Sequence, residues 1–207
     1  MKDEINMGEH YFSEKPVSRH NINTIKYNCK GVDFIFNTDS SVFSKSSVDK
    51  GTDILLNSIK NIHGNVLDMG CGYGVLGIVI KKLYPNARVV LNDINKRAVE
   101  LANINAKLNN VSVKIYQGFG TENIPKVGFD FAVINPPIRA GKKIIYDLFT
   151  QIKYALNPNG TMYVVIRTKQ GAKSAVEYIK DICFKVNTIE ISSGYRVLEC
   201  ILGGNNE

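Results

Sequence analysis

Short apolar runs alternate with longer amphipathic stretches from residue 65 almost to the C-terminus. The short runs are bounded by Gly, Asn and Pro, which is typical of buried strands, and the stretches between them repeat apolar residues at helical spacing. Because strands that alternate with helices form parallel sheets with right-handed crossovers, the pattern predicts an α/β fold. The predicted strands cover 65–69, 88–93, 111–117, 129–135 and 161–167, and the predicted helices cover 75–83, 95–108, 144–156 and 172–183.

The C-terminal segment departs from this alternation. Residues 184–192 and 195–202 are two strand-like runs that are separated only by Ser193 and Gly194. Two strands joined by a two-residue turn are antiparallel neighbours. The sequence therefore predicts a mostly parallel seven-stranded sheet that ends in an antiparallel hairpin, which differs from the plain dinucleotide-binding arrangement.

The N-terminal part of the chain has a third pattern. A polar arm precedes two strand-like runs, 21–29 and 32–37, which predict a β-hairpin. A Ser-rich loop follows, and apolar spacing then predicts an amphipathic helix over 49–62. We therefore divide the chain into an N-terminal arm and hairpin, residues 1–48, and a main domain, residues 49–207.

The composition is that of a globular protein, and 26 basic against 19 acidic side chains give a formal net charge of +7. Ten basic and four acidic residues lie between 137 and 196, so a net +6 of that excess is in this segment. A basic region favours a phosphate-rich partner through counterion release. The charge alone is equally compatible with a soluble basic protein that has no nucleic-acid role.

The four cysteines, Cys29, Cys71, Cys183 and Cys200, are far apart and form no CxxC pair. This spacing argues against a zinc site and against a disulfide framework. No run approaches the ~20 apolar residues of a membrane-spanning helix, and the N-terminal residues lack the apolar core of a signal peptide. We therefore expect a cytoplasmic protein with reduced thiols and with no membrane or metal partner.

The first predicted strand ends in a glycine-rich segment, Asp68-Met-Gly-Cys-Gly-Tyr-Gly74. Glycines at this point let the backbone turn sharply and approach a ligand at the start of the following helix. The second predicted strand ends at Asp93, an acid that can accept hydrogen bonds from both ribose hydroxyls of an adenosine. Together the two features indicate a cofactor that contains a nucleoside.

The glycine segment alone leaves the identity of that cofactor open. Residues 72–77 also match the G-x-G-x-x-G fingerprint of dinucleotide-binding proteins. The carboxylate of Asp68 would repel a pyrophosphate, but it suits a cationic ligand end such as the amino group and sulfonium of S-adenosylmethionine. This detail favours S-adenosylmethionine.

The fourth predicted strand ends in Asn135-Pro136-Pro137-Ile138. Two prolines stop the strand ladder and fix the backbone, so they would hold the Asn135 amide and the Pro136 carbonyl rigidly at the strand end. Two acceptors side by side can bind both hydrogens of a planar amine and localise its lone pair for attack on a methyl group. The motif thus predicts methylation of an amine.

These motifs together resemble class I S-adenosylmethionine-dependent methyltransferases that methylate amines, and more narrowly the RsmC-like small-subunit ribosomal RNA guanine-N2 methyltransferases and their single-domain relatives. The resemblance covers nearly the whole chain. Besides the glycine segment and Asp93, the carrying segments are 10–16, 42–44, 49–52, 135–142, 168–173 and 194–198. It implies a Rossmann-like methyltransferase fold, S-adenosyl-L-methionine as cofactor, and small-subunit ribosomal RNA or the assembling 30S subunit as partner.

The motifs and the resemblance together predict three sets of site residues. The predicted catalytic residues are Asn135 and Pro136. The residues predicted to bind the cofactor are Asp68, Gly70, Gly72, Gly74, Asp93, Ile94, Gly118, Phe119 and Asn135. The residues predicted to bind RNA are Phe43, Pro137, Ile138, Arg139, Lys142, Lys169 and Arg196.

Two departures from the family pattern affect these predictions. Ile138 stands where relatives that methylate adenine or glutamine usually have an aromatic residue, so Phe43 is the candidate for stacking on the target base, with a core position as the alternative. Gln117-Gly-Phe119-Gly follows the third strand where many relatives place an acid, so we expect backbone and Phe119 to contact the adenine.

Four other functions compete with RNA methylation. Protein glutamine and DNA adenine methylation would use the same Asn-Pro-Pro chemistry, and Ile138 counts against both. A nicotinamide oxidoreductase would leave Asp68 and the Asn-Pro-Pro motif unexplained. A non-catalytic RNA-binding module of the same fold predicts a damaged cofactor loop, whereas this loop is intact.

Overall fold

The computed structural model of the chain describes residues 22–39, 47–182 and 184–203. In this part of the chain, the main sheet has seven strands in the order β5-β4-β3-β6-β7-β9-β8. Strands β3 to β7 are parallel, and β9 runs antiparallel to both β7 and β8. The strands are β3 (Asn65–Met69), β4 (Arg88–Asp93), β5 (Lys114–Gln117), β6 (Phe129–Ile134), β7 (Leu156–Arg167), β8 (Phe184–Ser192) and β9 (Tyr195–Leu202).

Helices cover both faces of this sheet, and successive residues of the central strands contribute to opposite layers. Val66 and Val133 belong to one buried cluster together with helices α1, α2 and α3. Leu67 and Ile134 belong to the other cluster, with α4 and α5. The helices are α1 (Lys50–Ser58), α2 (Val75–Leu83), α3 (Lys96–Leu108), α4 (Lys142–Ala155) and α5 (Ala172–Asp181). A sheet buried on both faces explains why its strands read as continuous apolar runs.

The N-terminal hairpin, β1 (Ile22–Cys29) and β2 (Val32–Asp39), forms a separate two-stranded sheet. Two asparagines, one in the last turn of α3 and one at its C-cap, hold the second strand of the hairpin. Asn105 and Asn109 each accept a hydrogen bond from a β2 backbone N–H and donate one to the carbonyl of the same β2 residue, at 2.7–3.0 Å. These side chains satisfy backbone groups that would otherwise be unpaired at the strand edge. The division of the chain at residues 48 and 49 stays a prediction.

The predicted α/β fold, with its seven-stranded sheet, C-terminal hairpin and N-terminal hairpin, is confirmed. Three predicted element boundaries differ from the structure by three residues or more. The helix predicted over 49–62 ends at Ser58, because Ile59 has an extended backbone conformation. The third strand of the main sheet begins at Lys114 instead of Val111. Strand β7 begins at Leu156 and includes the predicted Asn-Pro-Asn-Gly turn as an irregularity in its pairing with β6.

Candidate active site

A cavity of about 600 Å³ opens at the carboxyl ends of the parallel strands. Its volume is within the range of small-molecule sites, and its position is where open α/β sheets bind ligands. Most of the residues predicted from sequence to bind cofactor or substrate line it. These residues are Gly70, Gly72, Asp93, Ile94, Gly118, Phe119, Asn135, Pro136, Pro137, Ile138 and Arg139.

The glycine loop, residues 70–74, connects β3 to α2 along one side of the cavity. Gly70, Gly72 and Gly74 all have positive φ angles, of 70°, 56° and 94°. A residue with a Cβ adopts this conformation only at a cost, so the turn requires glycine. The N–H groups of Gly70 and Cys71 both donate to the Asn92 carbonyl at 2.9 Å, which fixes the loop against the end of β4.

Asp93 lies at the carboxyl end of β4, and both of its carboxylate oxygens are held by backbone donors. Gly72 N donates to Oδ2 and Asn95 N donates to Oδ1, each at 2.8 Å. Burial raises the pKa of Asp93, and the N–H groups of Asn95, Gly72 and Ile94 oppose that rise. Each oxygen keeps a further lone pair, so the carboxylate can accept two more hydrogen bonds from a ligand in the cavity.

The structure places Asp68 beneath the glycine loop and not among the residues that line the cavity. Its side chain is fully buried, and Oδ2 accepts a hydrogen bond from Gly77 N at 2.8 Å. Oδ1 is buried without a hydrogen-bond partner among the described residues. Burial raises the pKa of Asp68 to about 7, the Gly77 N–H opposes the rise, and the charge of Asp93 adds to it.

This donor and acceptor arrangement fits S-adenosylmethionine. The free lone pairs of Asp93 suit ribose hydroxyls, and the unpartnered oxygen of Asp68 adds negative potential behind the glycine loop, where a cationic ligand end is favoured. Gly74 does not line the cavity. A Cβ at Gly74 would meet Ile78 and Ala102 at 2.8 and 3.2 Å, so this glycine allows α2 and α3 to pack closely.

Asn92 lines the cavity next to Asp93 and fixes a second loop. Its Nδ2 donates to the carbonyls of Gly118 and Gly120 at 2.9 and 2.6 Å. These bonds hold the segment after β5, including the half-buried Phe119, against the cavity. The Oδ1 of Asn92 is buried without a hydrogen-bond partner among the described residues.

On the opposite side of the cavity, Asn135 follows β6 and meets the first turn of α1. Its Nδ2 donates to Asp49 Oδ2 at 2.9 Å and to Thr52 Oγ1 at 3.0 Å. Asp49 is also the N-cap of α1, since the same Oδ2 accepts from Thr52 N at 3.1 Å. Gly51 allows this close approach, because a Cβ there would lie 2.8 Å from the ring of Tyr195.

The prolines after Asn135 determine the backbone at the cavity edge. Pro136 is buried, and Pro137 accepts a hydrogen bond from Ala140 N at 2.9 Å, which forms a short 3₁₀ turn over Ile138–Ala140. Ile138 is half-buried at the cavity, and Arg139 is exposed at its mouth. The proline pair therefore holds Asn135 and Pro136 at the end of β6 and directs the chain out of the site.

Two residues at the far end of the cavity were not predicted as site residues. Arg167 ends β7 and Tyr195 begins β9, and the two are partners in the strand register. Arg167 Nε donates to the Tyr195 hydroxyl at 2.8 Å, and its guanidinium lies 5.0 Å from the centre of the ring. This contact places a positive charge over an aromatic ring at the cavity.

Three further predicted RNA-binding residues, Lys142, Lys169 and Arg196, lie outside the cavity lining. Lys142 and Lys169 are exposed, at the start of α4 and in the turn after β7. Arg196 is half-buried on β9, and because strand residues alternate it faces away from its neighbour Tyr195. Phe43, the candidate for base stacking, lies outside the described residues, so its role stays a prediction.

Sequence reasoning missed Asn92, Arg167 and Tyr195, and it gave no role to Asp49 and Thr52 although it singled out their segment. Signals existed for some of these residues. Arg167 stands at the carboxyl end of a predicted parallel strand, a position that faces the crevice in this fold class. The contact between residues 49–52 and Asn135 spans more than 80 positions of sequence and has no local signal.

Within the described residues, no three His, Cys, Asp or Glu side chains are grouped so that they could hold a metal ion. In the same part of the chain, no helix combines the length and the apolar character that crossing a membrane requires.

Comparison with known proteins places these features in a family context. Residues 33–199 match the family model described as "Methyltransferase small domain". The chain is 38% identical over 197 residues to the protein YbxB of Bacillus subtilis (strain 168), an alignment that covers 93% of this chain and 98% of YbxB. It is 40% identical over 129 residues to "Ribosomal RNA small subunit methyltransferase C" of Haemophilus influenzae (strain PittEE). That alignment covers 60% of this chain and 39% of the relative.

A solved structure with a similar fold is that of "T. Thermophilus 16S rRNA N2 G1207 methyltransferase (RsmC) in complex with AdoMet and Guanosine". The TM-score is 0.80 at 20% sequence identity, and the match covers 90% of this chain and 52% of that chain. At this identity the likeness concerns the fold. The family resemblance and the cofactor predicted from the sequence, S-adenosylmethionine, are confirmed.

Proposed function

The chain belongs to the methyltransferase small domain family, and from this premise we propose that it methylates an exocyclic base amine of RNA, namely guanine N2 of small-subunit ribosomal RNA. The observation that carries the proposal is that Asp93 and the Asn135-Pro136 pair line the same cavity. A hydrogen-bond acceptor suited to a nucleoside and a pair of acceptors suited to an amine therefore face the same cavity. Methyl transfer from a nucleoside cofactor to an amine requires this proximity.

The residues of the chain divide the chemistry between them. The glycine loop and Asp93 would hold the nucleoside part of the cofactor, and Asp68 would favour its cationic end. When bound, S-adenosylmethionine supplies a methyl group activated by its positively charged sulfonium. Asn135 Oδ1 and the Pro136 carbonyl accept the two hydrogens of the planar amine and localise its lone pair. One amine proton is released to solvent after transfer, so no strong general base is needed.

Guanine N2 of small-subunit RNA is the substrate that the family relatives favour. Two of the relatives named above, the Haemophilus and T. thermophilus proteins, act by their names on small-subunit ribosomal RNA, and the second carries guanosine in its solved complex. The chain spans about two fifths of the length of the Haemophilus relative, so its substrate is proposed here and not transferred. The exposed basic residues Arg139, Lys142 and Lys169 would contact phosphates near the cavity mouth, in the cytoplasm where ribosomal subunits assemble.

Methyl transfer from labelled S-adenosylmethionine tests the proposal directly. The purified chain is incubated with small ribosomal subunits and with naked small-subunit RNA, both prepared from cells that lack this protein. We expect label in RNA and 2-methylguanine on nucleoside analysis. Mass mapping of RNA from those cells against wild type then identifies the nucleotide.

The competing functions give different results in the same assay. Label in protein would indicate glutamine methylation, and label in double-stranded DNA, offered as a third substrate in a parallel incubation, would indicate adenine methylation. RNA binding without transfer to any substrate would indicate a non-catalytic module. Thermal shift separates the cofactor classes, since S-adenosylhomocysteine at 100 times its Kd should add about 2.7 kcal/mol of stability, whereas NAD should add none.

A further inference from the structure

The carboxamide of Asn135 has two ends of similar shape and opposite hydrogen-bonding character. Its oxygen accepts hydrogen bonds, and its nitrogen donates two. Only one orientation serves an amine substrate, because a carboxamide turned by 180° would present N–H groups to the N–H groups of the amine. The activity proposed above therefore depends on what fixes this orientation.

We propose that Asp49 and Thr52 are positioning residues that fix the Asn135 carboxamide with its oxygen towards the substrate amine. This inference rests on the proposed function. Asp49 Oδ2 and Thr52 Oγ1 lie 2.9 and 3.0 Å from Asn135 Nδ2, so the two hydrogens of the amide nitrogen have two acceptors. The carboxamide oxygen then points away from α1.

Asp49 discriminates between the two orientations more strongly than Thr52. A carboxylate has no hydrogen to donate, so turning the Asn135 amide would bring its oxygen against the oxygen of Asp49. Hydrogen bonds to a charged acceptor are also about twice as strong as those between neutral groups. The hydroxyl of Thr52 could donate as well as accept, and it therefore supports the orientation that Asp49 imposes.

The start of α1 holds both acceptors in place independently of the substrate. Asp49 Oδ2 caps the helix through Thr52 N at 3.1 Å, and Thr52 is only 7% exposed. The tight contact of Gly51 with the Tyr195 ring sets the position of this turn on the sheet. The pair of acceptors is therefore built into the fold, and the orientation of Asn135 is fixed before any ligand binds.

Four substitutions separate positioning from helix stability. Thr52→Val removes the acceptor at nearly constant volume, and Thr52→Ser retains it. Asp49→Ser keeps a good N-cap residue but is too short to reach Asn135, while Asp49→Asn retains an oxygen acceptor without the charge. Thr150→Val is the matched control, because the hydroxyl of this half-buried threonine on α4 bonds Tyr146 O of the same helix and the Tyr178 hydroxyl of α5, and does not bond Asn135.

We expect kcat for transfer into small-subunit RNA to fall about tenfold in Thr52→Val and about 100-fold in Asp49→Ser. Thr52→Ser should recover most of the rate and Asp49→Asn part of it, and Thr150→Val should behave as wild type. The Kd for S-adenosylhomocysteine should stay unchanged in all five. In an Asn135→Ala background, Thr52→Val and Asp49→Ser should lower the rate by no more than about twofold, since residues that act through one group are not additive.

A second measurement does not depend on catalysis. The side-chain amide hydrogens of Asn135, assigned by their loss in Asn135→Ala, should exchange with solvent more slowly in wild type than in Thr52→Val or Asp49→Ser. The inference is overturned if these exchange rates are equal, if Thr52→Val keeps its kcat within twofold of wild type, or if the same losses persist without Asn135. If wild type methylates no substrate, the proposed function fails, while the exchange measurement still decides the orientation.

Discussion

The nucleoside side of the cavity consists of groups that are close in sequence, whereas the amine side combines groups from distant segments. On the nucleoside side, backbone N–H groups of the glycine loop donate to the Asn92 carbonyl and to the Asp93 carboxylate at 2.8–2.9 Å. On the amine side, Asn135 meets Asp49 and Thr52 through side chains that are 86 and 83 positions away in sequence.

This difference predicts that the two sides respond differently to substitution. The loop on the nucleoside side is held by backbone N–H groups that no side-chain replacement removes, so Asp93, whose carboxylate can accept from a ligand, offers the clearest single-residue test of binding there. The amine side depends on the Asn135 carboxamide and its neighbours. Loss of this carboxamide should lower kcat for methyl transfer and leave the affinity for the cofactor unchanged. The predictions below test this separation, beginning with the largest expected effect.

Replacing Asn135 by Ala should lower kcat on the order of 10²–10³, the usual cost of losing one preorganised group that stabilises a transition state. Asn135 was also predicted from sequence to contact the cofactor, but the proposed function assigns its carboxamide to the amine, so the Kd for S-adenosylhomocysteine should not change. The measurement is tritium transfer into small subunits at saturating cofactor, and Asn103→Ala, an exposed asparagine of α3, serves as the control. A rate above about a tenth of wild type would show that Asn135 has no catalytic role and only ends strand β6.

The variant Asn135→Asp tests whether Asp49 determines the geometry around position 135. It would place a second carboxylate at the position that now lies 2.9 Å from Asp49 Oδ2. Like charges at this separation repel each other, so the new side chain must bind a proton or turn away from α1. We expect the Asp variant to be no more active than the Ala variant, measured in the same assay. Activity near wild type would show that Asp49 does not set the geometry of this side.

On the nucleoside side, Asp93→Ala should weaken S-adenosylhomocysteine binding by about 10- to 100-fold. Hydrogen bonds to a charged acceptor contribute about 1.5–3 kcal/mol each, and the anchor of Gly72 N is lost with them. Calorimetry gives the Kd. The control is Asp130→Ala. The carboxylate of Asp130 accepts hydrogen bonds from Asn65 N and Asn157 Nδ2 and does not line the cavity, so its loss should lower stability without changing the affinity. Equal affinity in Asp93→Ala and wild type would show that the ribose binds elsewhere.

The same contrast explains what the sequence could predict. The glycine loop and Asp93 were found because their chemistry lies within about 26 positions and follows a strand-turn-helix pattern. Helix α2 and the C-terminal hairpin were predicted with the bounds that the structure shows, since turn residues mark their ends. The contact of Asp49 with Asn135 was not predicted, because neither residue has a local feature that identifies its partner.

The charged residues show a second limit. Arg139, Lys142, Lys169 and Arg196 were chosen because they lie near strand ends, but whether a side chain enters the cavity depends on the direction it takes from the strand. Arg139 and the unpredicted Arg167 line the cavity, whereas Arg196 faces the other side of the sheet. The alternation along β9 could have excluded Arg196, and the place of Arg167 at the carboxyl end of a predicted parallel strand could have included it, but its contact with Tyr195 follows only from the register between β7 and β9.

Asp68 gives the stability of the nucleoside side a dependence on pH. Its folded-state pKa of about 7 is above the value near 4 of an unfolded chain, mainly because of burial. Between these values the folded state binds more protons, so the free energy of unfolding should fall as the pH rises from about 4 to 7. Each unit by which the pKa is raised corresponds to about 1.4 kcal/mol.

Asp68→Asn should flatten this part of the stability profile, because the amide cannot ionise and can still accept from Gly77 N. Urea unfolding at pH 5 and pH 8 measures the slope in both proteins. A smaller slope from Asp93, whose pKa is also raised, should remain in the variant. Identical slopes in the two proteins would show that Asp68 stays ionised in the folded state throughout this range.

The smallest effect is expected from the exposed lysines at the cavity mouth. Lys142 and Lys169 are solvated side chains at the start of α4 and after β7, so neither is needed for folding or for cofactor binding. If each lysine neutralises one RNA phosphate, RNA binding by its Ala variant releases one counterion fewer than binding by wild type. The slope of log K against log salt should then flatten by roughly 0.7–0.9. Filter binding of small-subunit RNA between 50 and 200 mM salt measures this slope.

Lys107→Ala provides the comparison, because this exposed lysine lies in the last turn of α3, about 16 Å along the helix from the end that lines the cavity. Removing a charge at Lys107 changes the net charge of the protein by the same amount, but it should leave the slope at the wild-type value. A flattened slope in all three variants would mean that RNA responds to the overall positive charge. A flattened slope only in Lys142→Ala and Lys169→Ala would indicate that RNA crosses the protein at the cavity mouth, next to Asn135.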